Sequence, residues 1–253
     1  MFKSILHHFL RKLTCLTGPF LLALITFLTI SSLSAKDPIV KFAESIEKGD
    51  IETVQKMLAD GLAPNTRIPK SRLNYTPLFL SVKSTHPSIT KALLKAGADP
   101  TMEDENGDPV MVYAADPGRE KHARLLIQHG TSIDSTNSEG ITALLRGAPY
   151  EKGPDIQVKI DLGANLNLTD PKGKTALMRA AGAGNLEAMK VLIKAGAKLN
   201  ISNKAGESAL TLALGLDSYN DDRTKNTAAV KLLIEASANI HGGFLHGAFK
   251  KLS

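Results

Sequence analysis

The sequence predicts an all-α solenoid of about five to six helix-turn-helix units with short finger turns, and three observations carry that expectation. Gly97, Gly130, Gly163 and Gly196 recur every 33 residues, and Gly107, Gly140, Gly173 and Gly206 keep the same period. Between the two series, an apolar slot (Pro100, Ile133, Leu166, Leu199), a polar slot (Thr101, Asp134, Asn167, Asn200) and a turn-former (Asp104, Asn137, Asp170, Asn203) stay in register. After each turn come two short apolar runs, the second ending directly before the next glycine of the first series. The first glycine suits the left-handed end of a helix, and Asp or Asn with the later glycine suits a tight turn.

Residues 1–35 stand apart from the repeats. They hold no acidic residue: Lys3, Arg11 and Lys12 precede a nearly continuous apolar run from Leu13 to Ile30, and Ser31, Ser32, Leu33, Ser34 and Ala35 follow. Charge, apolar core and small residues in that order predict a secretory signal cleaved between Ala35 and Lys36. The run also reaches the lower edge of a bilayer span, so an inner-membrane anchor over residues 13–30 is the alternative. Cys15, the single cysteine, precedes the main apolar stretch, where a lipoprotein cysteine would follow it; the mature chain then has no disulfide. Of the 31 basic residues three lie in this segment, which leaves 28 against 25 acidic ones, a charge of +3. That balance lacks the concentrated basic face nucleic acid requires.

The repeat domain, residues 36–253, opens with Asp37-Pro38 as an N-cap and first helical residue. A first unit over about 37–64 has no finger before it and shows Lys41, Glu44, Glu47 and Lys48 on its outer side, as a terminal cap should. Units of about 74–105, 107–138, 140–171, 173–204 and 206–240 follow, with a C-terminal cap at 241–253. Gly61 and Gly97 are 36 residues apart, which places an insertion around Arg67 to Arg72. The polar stretch between Gly215 and Asn226 predicts a loop between the helices of the last full unit. In the fourth unit Pro149 falls within the expected first helix, Gly153-Pro154 follows, and Lys159 occupies the slot of Leu126 and Leu192, which marks this unit as the weakest.

The residues Thr76-Pro77-Leu78, Leu93-Leu94-Lys95-Ala96-Gly97-Ala98, Leu192-Ile193-Lys194-Ala195-Gly196-Ala197 and Gly184-Asn185-Leu186-Glu187 give the pattern its resemblance to the ankyrin repeat. The resemblance covers roughly residues 37–250. It implies fingers and first helices lining a concave face that binds other proteins. The family's histidine slot holds Phe79, Val112, Leu145, Met178 and Thr211, and returns only at His246, so apolar burial must replace the hydrogen bonds of that histidine.

Signatures of catalysis are missing: there is no Gly-x-Ser-x-Gly, His-Glu-x-x-His or Gly-x-x-x-x-Gly-Lys. Gly182-Ala183-Gly184 reads as the turn between two helices, not as a cofactor loop. Met102 to Asp108 reads as a solvated finger tip, because Met102 and Tyr113 fall where a calcium loop needs oxygen ligands. His122 with His129, and His241 with His246, read as surface or packing residues. No cofactor or metal site is expected.

By register the residue after the histidine slot faces outward in the family, giving a row of Leu80, Tyr113, Arg146, Arg179 and Leu212, with Lys172 and Lys174 on a neighbouring finger. Aromatic and arginine anchors of this kind are enriched at interfaces, and Tyr113, Arg146 and Arg179 are expected to meet an acidic or aromatic patch on a protein partner. The expected function is a non-enzymatic, monomeric interaction module, periplasmic or secreted, with a membrane role only if the N-terminal segment is retained. Resemblance to small exported bacterial ankyrins implies a scaffold or protective partner of an envelope enzyme, in that group sometimes one that handles peroxide stress. The alternatives are a secreted effector that binds host proteins, and an inhibitor or regulator of an envelope enzyme acting through the 215–226 loop.

Overall fold

The computed structural model describes residues 37–69, 74–215 and 223–236. The signal segment with Ala35 and Lys36, the 13–30 run, the centre of the 215–226 insertion and the 241–253 cap lie outside them. Within the described residues the chain forms helices in pairs: α1 (Pro38–Lys48) with α2 (Ile51–Ala59), α3 (Pro77–Lys83) with α4 (Pro87–Lys95), and α5 (Val110–Ala114) with α6 (Glu120–Gln128). The order continues with α7 (Ala143–Gly147) and α8 (Gly153–Asp161), α9 (Ala176–Ala183) and α10 (Leu186–Lys194), and α11 (Ala209–Ala213) and α12 (Arg223–Glu235). First helices pack on first helices of neighbouring units, and second helices on second helices except between α6 and α8, where contact is slight, so two layers share one core. No described helix is long and apolar enough to cross a membrane.

Local chemistry sets the start of most first helices; among the described ones, α5 after Pro109 is the one without a side-chain cap. Thr76, Thr142 and Thr175 accept hydrogen bonds from the backbone N–H of Phe79, Leu145 and Met178, and Ser208 does so from Thr211. An N-cap of this type contributes about 1 kcal/mol. Phe79, Val112, Leu145 and Met178, which fill the histidine slot, are each 1 % exposed, so apolar burial does replace the polar contacts there.

Each finger turns on one side chain. Asp104 Oδ1 accepts from Asn106 and Asp108 N–H, Asn137 from Glu139 and Ile141, Asp170 from Lys172 and Lys174, and Asn203 from Ala205 and Glu207. The expectation of a solvated tip at Met102 to Asp108 is corrected for Asp104, which is buried because its carboxylate is consumed by the turn. The fingers close with single bridges, Glu103 to Pro109, Thr136 to Thr142 and Thr169 to Thr175.

Polar-slot side chains stitch one unit to the next. Asn65 Oδ1 accepts from Asp99 N–H at 2.7 Å, Asp134 from Asn165 at 3.0 Å and Asn167 from Lys198 at 2.9 Å. The fingers are also bonded directly: Ser138 N–H donates to the Gly107 carbonyl at 3.0 Å and Lys204 N–H to the Lys172 carbonyl at 3.1 Å. Between those two contacts the equivalent position is Pro171, which has no N–H to give and instead packs toward Gly140.

A second stitch runs between the helices. His86 Nε2 donates to the Glu47 carbonyl at 3.2 Å. Within the core, His122 Nδ1 lies 2.8 Å from Thr90 Oγ1, which lies 2.8 Å from Ser81 Oγ, whose hydroxyl donates to the Leu78 carbonyl. The chain is satisfied when each group donates to the next, beginning with His122 Nδ1–H. That leaves His122 Nε2 as a bare lone pair with no partner. Burial, then the charges of Arg119 and His86, push its pKa down to about 4.

Three expectations about helix ends change. Pro149 lies just past α7, whose end at Gly147 it follows, and Gly153-Pro154 opens α8, where proline is tolerated because the first-turn N–H has no partner. Gly182 and Ala183 belong to α9, and the left-handed cap is Gly184, with φ +67°. Residues 223–226, expected in the loop, begin α12. Lys159, in the leucine slot, is fully buried and pairs with Glu151 at 2.6 Å. A Cβ at Gly147 would overlap the Glu151 carboxylate, so that glycine makes room for the pair.

Candidate functional site

The row of Leu80, Tyr113, Arg146, Arg179 and Leu212 is brought onto one face by α3, α5, α7, α9 and α11, but it is not a row of free side chains. Leu80 and Leu212 are each only 8 % exposed, which corrects the expectation that they face outward. They lie within α3 and α11, and the units packed alongside cover their apolar side chains.

The three central members are bound within the protein. Tyr113 donates to Asp104 Oδ2 at 2.8 Å and Asp108 Oδ2 at 3.3 Å. Its phenol is held well above the usual range by burial first and by those carboxylates second, so it remains a neutral donor. Its ring meets Phe79 edge-on at 5.7 Å, and Lys83 Nζ sits 4.8 Å from its centroid and 5.0 Å from that of Tyr75. Two register steps on, Arg179 does for its finger what Tyr113 does for its own, donating to Asp170 Oδ2 at 2.8 Å.

Arg146 differs for a readable reason. Its own finger carries the neutral Asn137 in place of an aspartate, so the guanidinium turns back one unit. There it donates to Asp116 and to the Val112 carbonyl at 2.7 Å. Arg119 holds the other Asp116 oxygen at 2.9 Å. These contacts order the face, and they leave Arg146 and Arg179 about one-third exposed at most.

Beside them lies a groove of about 360 Å³, lined by Pro149, Lys174, Met178, Arg179, Gly182, Ala183 and Leu212. Every one of these residues comes from a finger, a first helix or the end of one. Met178 and Leu212 give an apolar floor, and exposed Gly182 and Ala183 leave it shallow on the α9 side. At the finger end stand Lys174 and exposed Lys172, with exposed Lys204 on the adjoining finger. These lysines make no ion pair among the described residues. Of the nearby carboxylates Asp170 is paired with Arg179 and Glu151 with Lys159, while Glu207 accepts from the neutral Asn203 amide and Glu139, one finger back from Lys172, is exposed.

Two residues here escaped sequence reasoning. Tyr150, next to Pro149, is 67 % exposed, and Arg146, Glu151, Asp116 and Arg179 are the charges that reach its hydroxyl. A large aromatic directly after a helix-ending proline was the available signal. Gly182 is the other. It has no positive φ, and an added Cβ would meet only Leu212 Cβ, at 3.9 Å. A helix glycine costs up to about 1 kcal/mol against alanine, and neither backbone geometry nor a crowded neighbour demands this one. Among the described residues no group of three or more His, Cys, Asp and Glu is placed to hold a metal ion.

A family model described as ankyrin repeats (3 copies) matches residues 42–137 and 139–242. The nuclear factor NF-kappa-B p105 subunit of Gallus gallus is 36% identical over 78 residues, 30% of this chain and 8% of that protein. The phosphocholine transferase AnkX of Legionella pneumophila is 30% identical over 103 residues, 39% of this chain and 11% of that protein. NF-kappa-B inhibitor alpha of Rattus norvegicus is 35% identical over 81 residues, 30% of this chain and 26% of that protein. The matches thus span about a quarter or less of these relatives. Among solved structures, the ankyrin repeat domain of Bcl-3 superposes with TM-score 0.68 at 23% identity, covering 81% of this chain and 88% of that one. An ankyrin repeat domain from Acinetobacter baumannii AYE gives 0.63 at 28% identity, covering 79% and 98%.

Proposed function

The chain belongs to the ankyrin-repeat family, whose repeats imply a protein–protein interaction module, and from that premise we propose a non-enzymatic docking protein that seats its partner in the groove over units four to six. Pro149, Met178, Gly182, Ala183 and Leu212 supply the apolar floor, Tyr150 is the exposed aromatic anchor, and Lys172, Lys174 and Arg179 stand at the finger end. The observation that carries this reading is Tyr150. It stands next in sequence to groove-lining Pro149, and tyrosine is among the residue types that carry most of the binding energy at interfaces.

Tyr113, Arg146 and Arg179 change role in this reading. They hold the fingers and first helices in place and contribute their remaining exposed edges, while Tyr150 and the lysines make the direct contact. The site of action is the bacterial envelope, reached through the segment before Lys36, and the role is scaffold or protective partner of another protein there. That placement rests on the order of charge, apolar run and small residues in the sequence.

A photo-reactive phenylalanine analogue at Tyr150 tests the proposal, with the same residue at exposed Lys190 on the second-helix layer as control. Illumination of envelope from the producing cell should yield one dominant adduct from position 150 and none of that mass from position 190. Equal labelling from both positions, or none from 150, would remove the groove as the docking site.

A further inference from the structure

Resting on that reading, we infer that the docked segment is acidic and apolar together: a bulky apolar side chain enters the trough beside Gly182 while neighbouring side-chain carboxylates meet Lys172, Lys174 and Lys204. Two independent observations point there.

The first is the space at Gly182. The other described glycines have a positive φ or a neighbour that leaves little or no room for a Cβ. Gly182 has helical backbone and open room, and it lies on the floor of the groove between Met178 and Leu212. A side chain there would stand in the trough, so the missing one is what keeps the trough open to an incoming group.

The second is the charge left over at the finger end. Asp170 is spent on Arg179 and on the turn and Glu151 on Lys159, while Lys172, Lys174 and Lys204 form no ion pair among the described residues and Glu207 keeps its charge beside the neutral Asn203 amide. Two fingers back, Glu103 and Glu105 are exposed and acidic. Neighbouring repeats stack at roughly 8–10 Å, so the two charge groups are separated by more than the screening length of about 8 Å at physiological salt. Nearer by, exposed Glu139 holds the register position of Lys172 one finger back and offsets part of this charge, but the charged residues that line the groove itself, Lys174 and Arg179, are both basic.

Three fluorescent dodecapeptides, amidated at the C-terminus so that only side-chain carboxylates are read, separate the components. They alternate Glu with Leu, Lys with Leu, and Glu with Ser. By fluorescence anisotropy on the full-length chain at low salt, the Glu/Leu probe should bind at least about tenfold tighter than either of the others and weaken as salt is raised. Gly182→Leu should lose that binding about tenfold while its melting temperature holds or rises, because the helix gains a better former and the added side chain has room. Lys172→Glu with Lys174→Glu should reverse the preference between the Glu/Leu and Lys/Leu probes.

Equal binding of Glu/Leu and Lys/Leu peptides overturns the charge assignment, and undiminished binding by Gly182→Leu overturns the trough. Either result, with a specific adduct still forming at position 150, rejects this inference while the docking site stands. Loss of the adduct rejects both.

Discussion

Removing the Glu151 carboxylate should damage this protein more than removing the lysine it pairs with, although both belong to one ion pair. Lys159 is fully buried in a slot that Leu126 and Leu192 fill elsewhere, and its side chain shows no exposure while that of Glu151 shows 9 %. Glu151→Ala strands an ammonium in the core, a loss of about 3–5 kcal/mol. Lys159→Leu restores the apolar residue of the neighbouring units, and the remaining carboxylate stands near enough to the surface to recover water. Burying a leucine contributes about 1.5–3 kcal/mol and offsets the lost pair, so the net change should fall within about 1 kcal/mol of zero. In a domain of this size each kcal/mol moves the melting temperature by about 2–4 °C, so Glu151→Ala should melt roughly 6–20 °C lower and Lys159→Leu within about 4 °C of the parent. Thermal and urea unfolding followed by far-ultraviolet circular dichroism reads both, with the double variant completing the cycle. Equal losses for the two single variants, or a Glu151→Ala protein that melts with the parent, would refute the claim that the buried lysine depends on that carboxylate.

His122 predicts a dependence on pH. Its folded pKa is depressed to about 4 from 6.5, so the unfolded chain binds the extra proton first as pH falls; the stabilising contribution is complete above about 6.5 and is lost progressively toward 4. The loss should reach about 2 kcal/mol by pH 5 and about 3 kcal/mol near pH 4, and His122→Leu should flatten that limb when urea midpoints are compared at pH 7.5 and 5. Gly173→Ala should cost about 2 kcal/mol or more in urea unfolding, because φ is +81° and the new Cβ would lie 2.9 Å from Lys204 N. Gly206→Ala, with φ +78° and open space, carries the conformational part alone and should cost about half as much.

The fold was legible because its determinants are local and periodic. A left-handed glycine, an Asx turn and a threonine cap each act within a few residues, and the 33-residue repeat multiplies the signal until chance is excluded. What the period could not supply was the partner of each side chain. Arg146 and Arg179 occupy the same slot, yet one turns to Asp116 of the previous unit and the other to Asp170 of its own finger, a choice made by Asn137 standing where Asp170 stands. Leu80 and Leu212 hold the register of an outward row and are buried all the same, since exposure depends on what packs alongside. Tyr150 and Gly182 lie off the slots the period marks, and only the packed units place Gly182 in a groove that Pro149, the chain neighbour of Tyr150, also lines.

Pro171 carries a consequence for how the molecule yields under load. Hydrogen bonds join the fingers on either side of it, Ser138 to Gly107 and Lys204 to Lys172, and at Pro171 itself the equivalent rung is missing. At that step a pull along the fingers meets no backbone rung between the tips, only the Asp134 carboxylate holding Asn165 N–H at the finger base, so the junction divides the array into an N-terminal and a C-terminal block. The groove lies across the same boundary, with Pro149 on one block and Lys174 and Leu212 on the other, so a bound segment would splint the break.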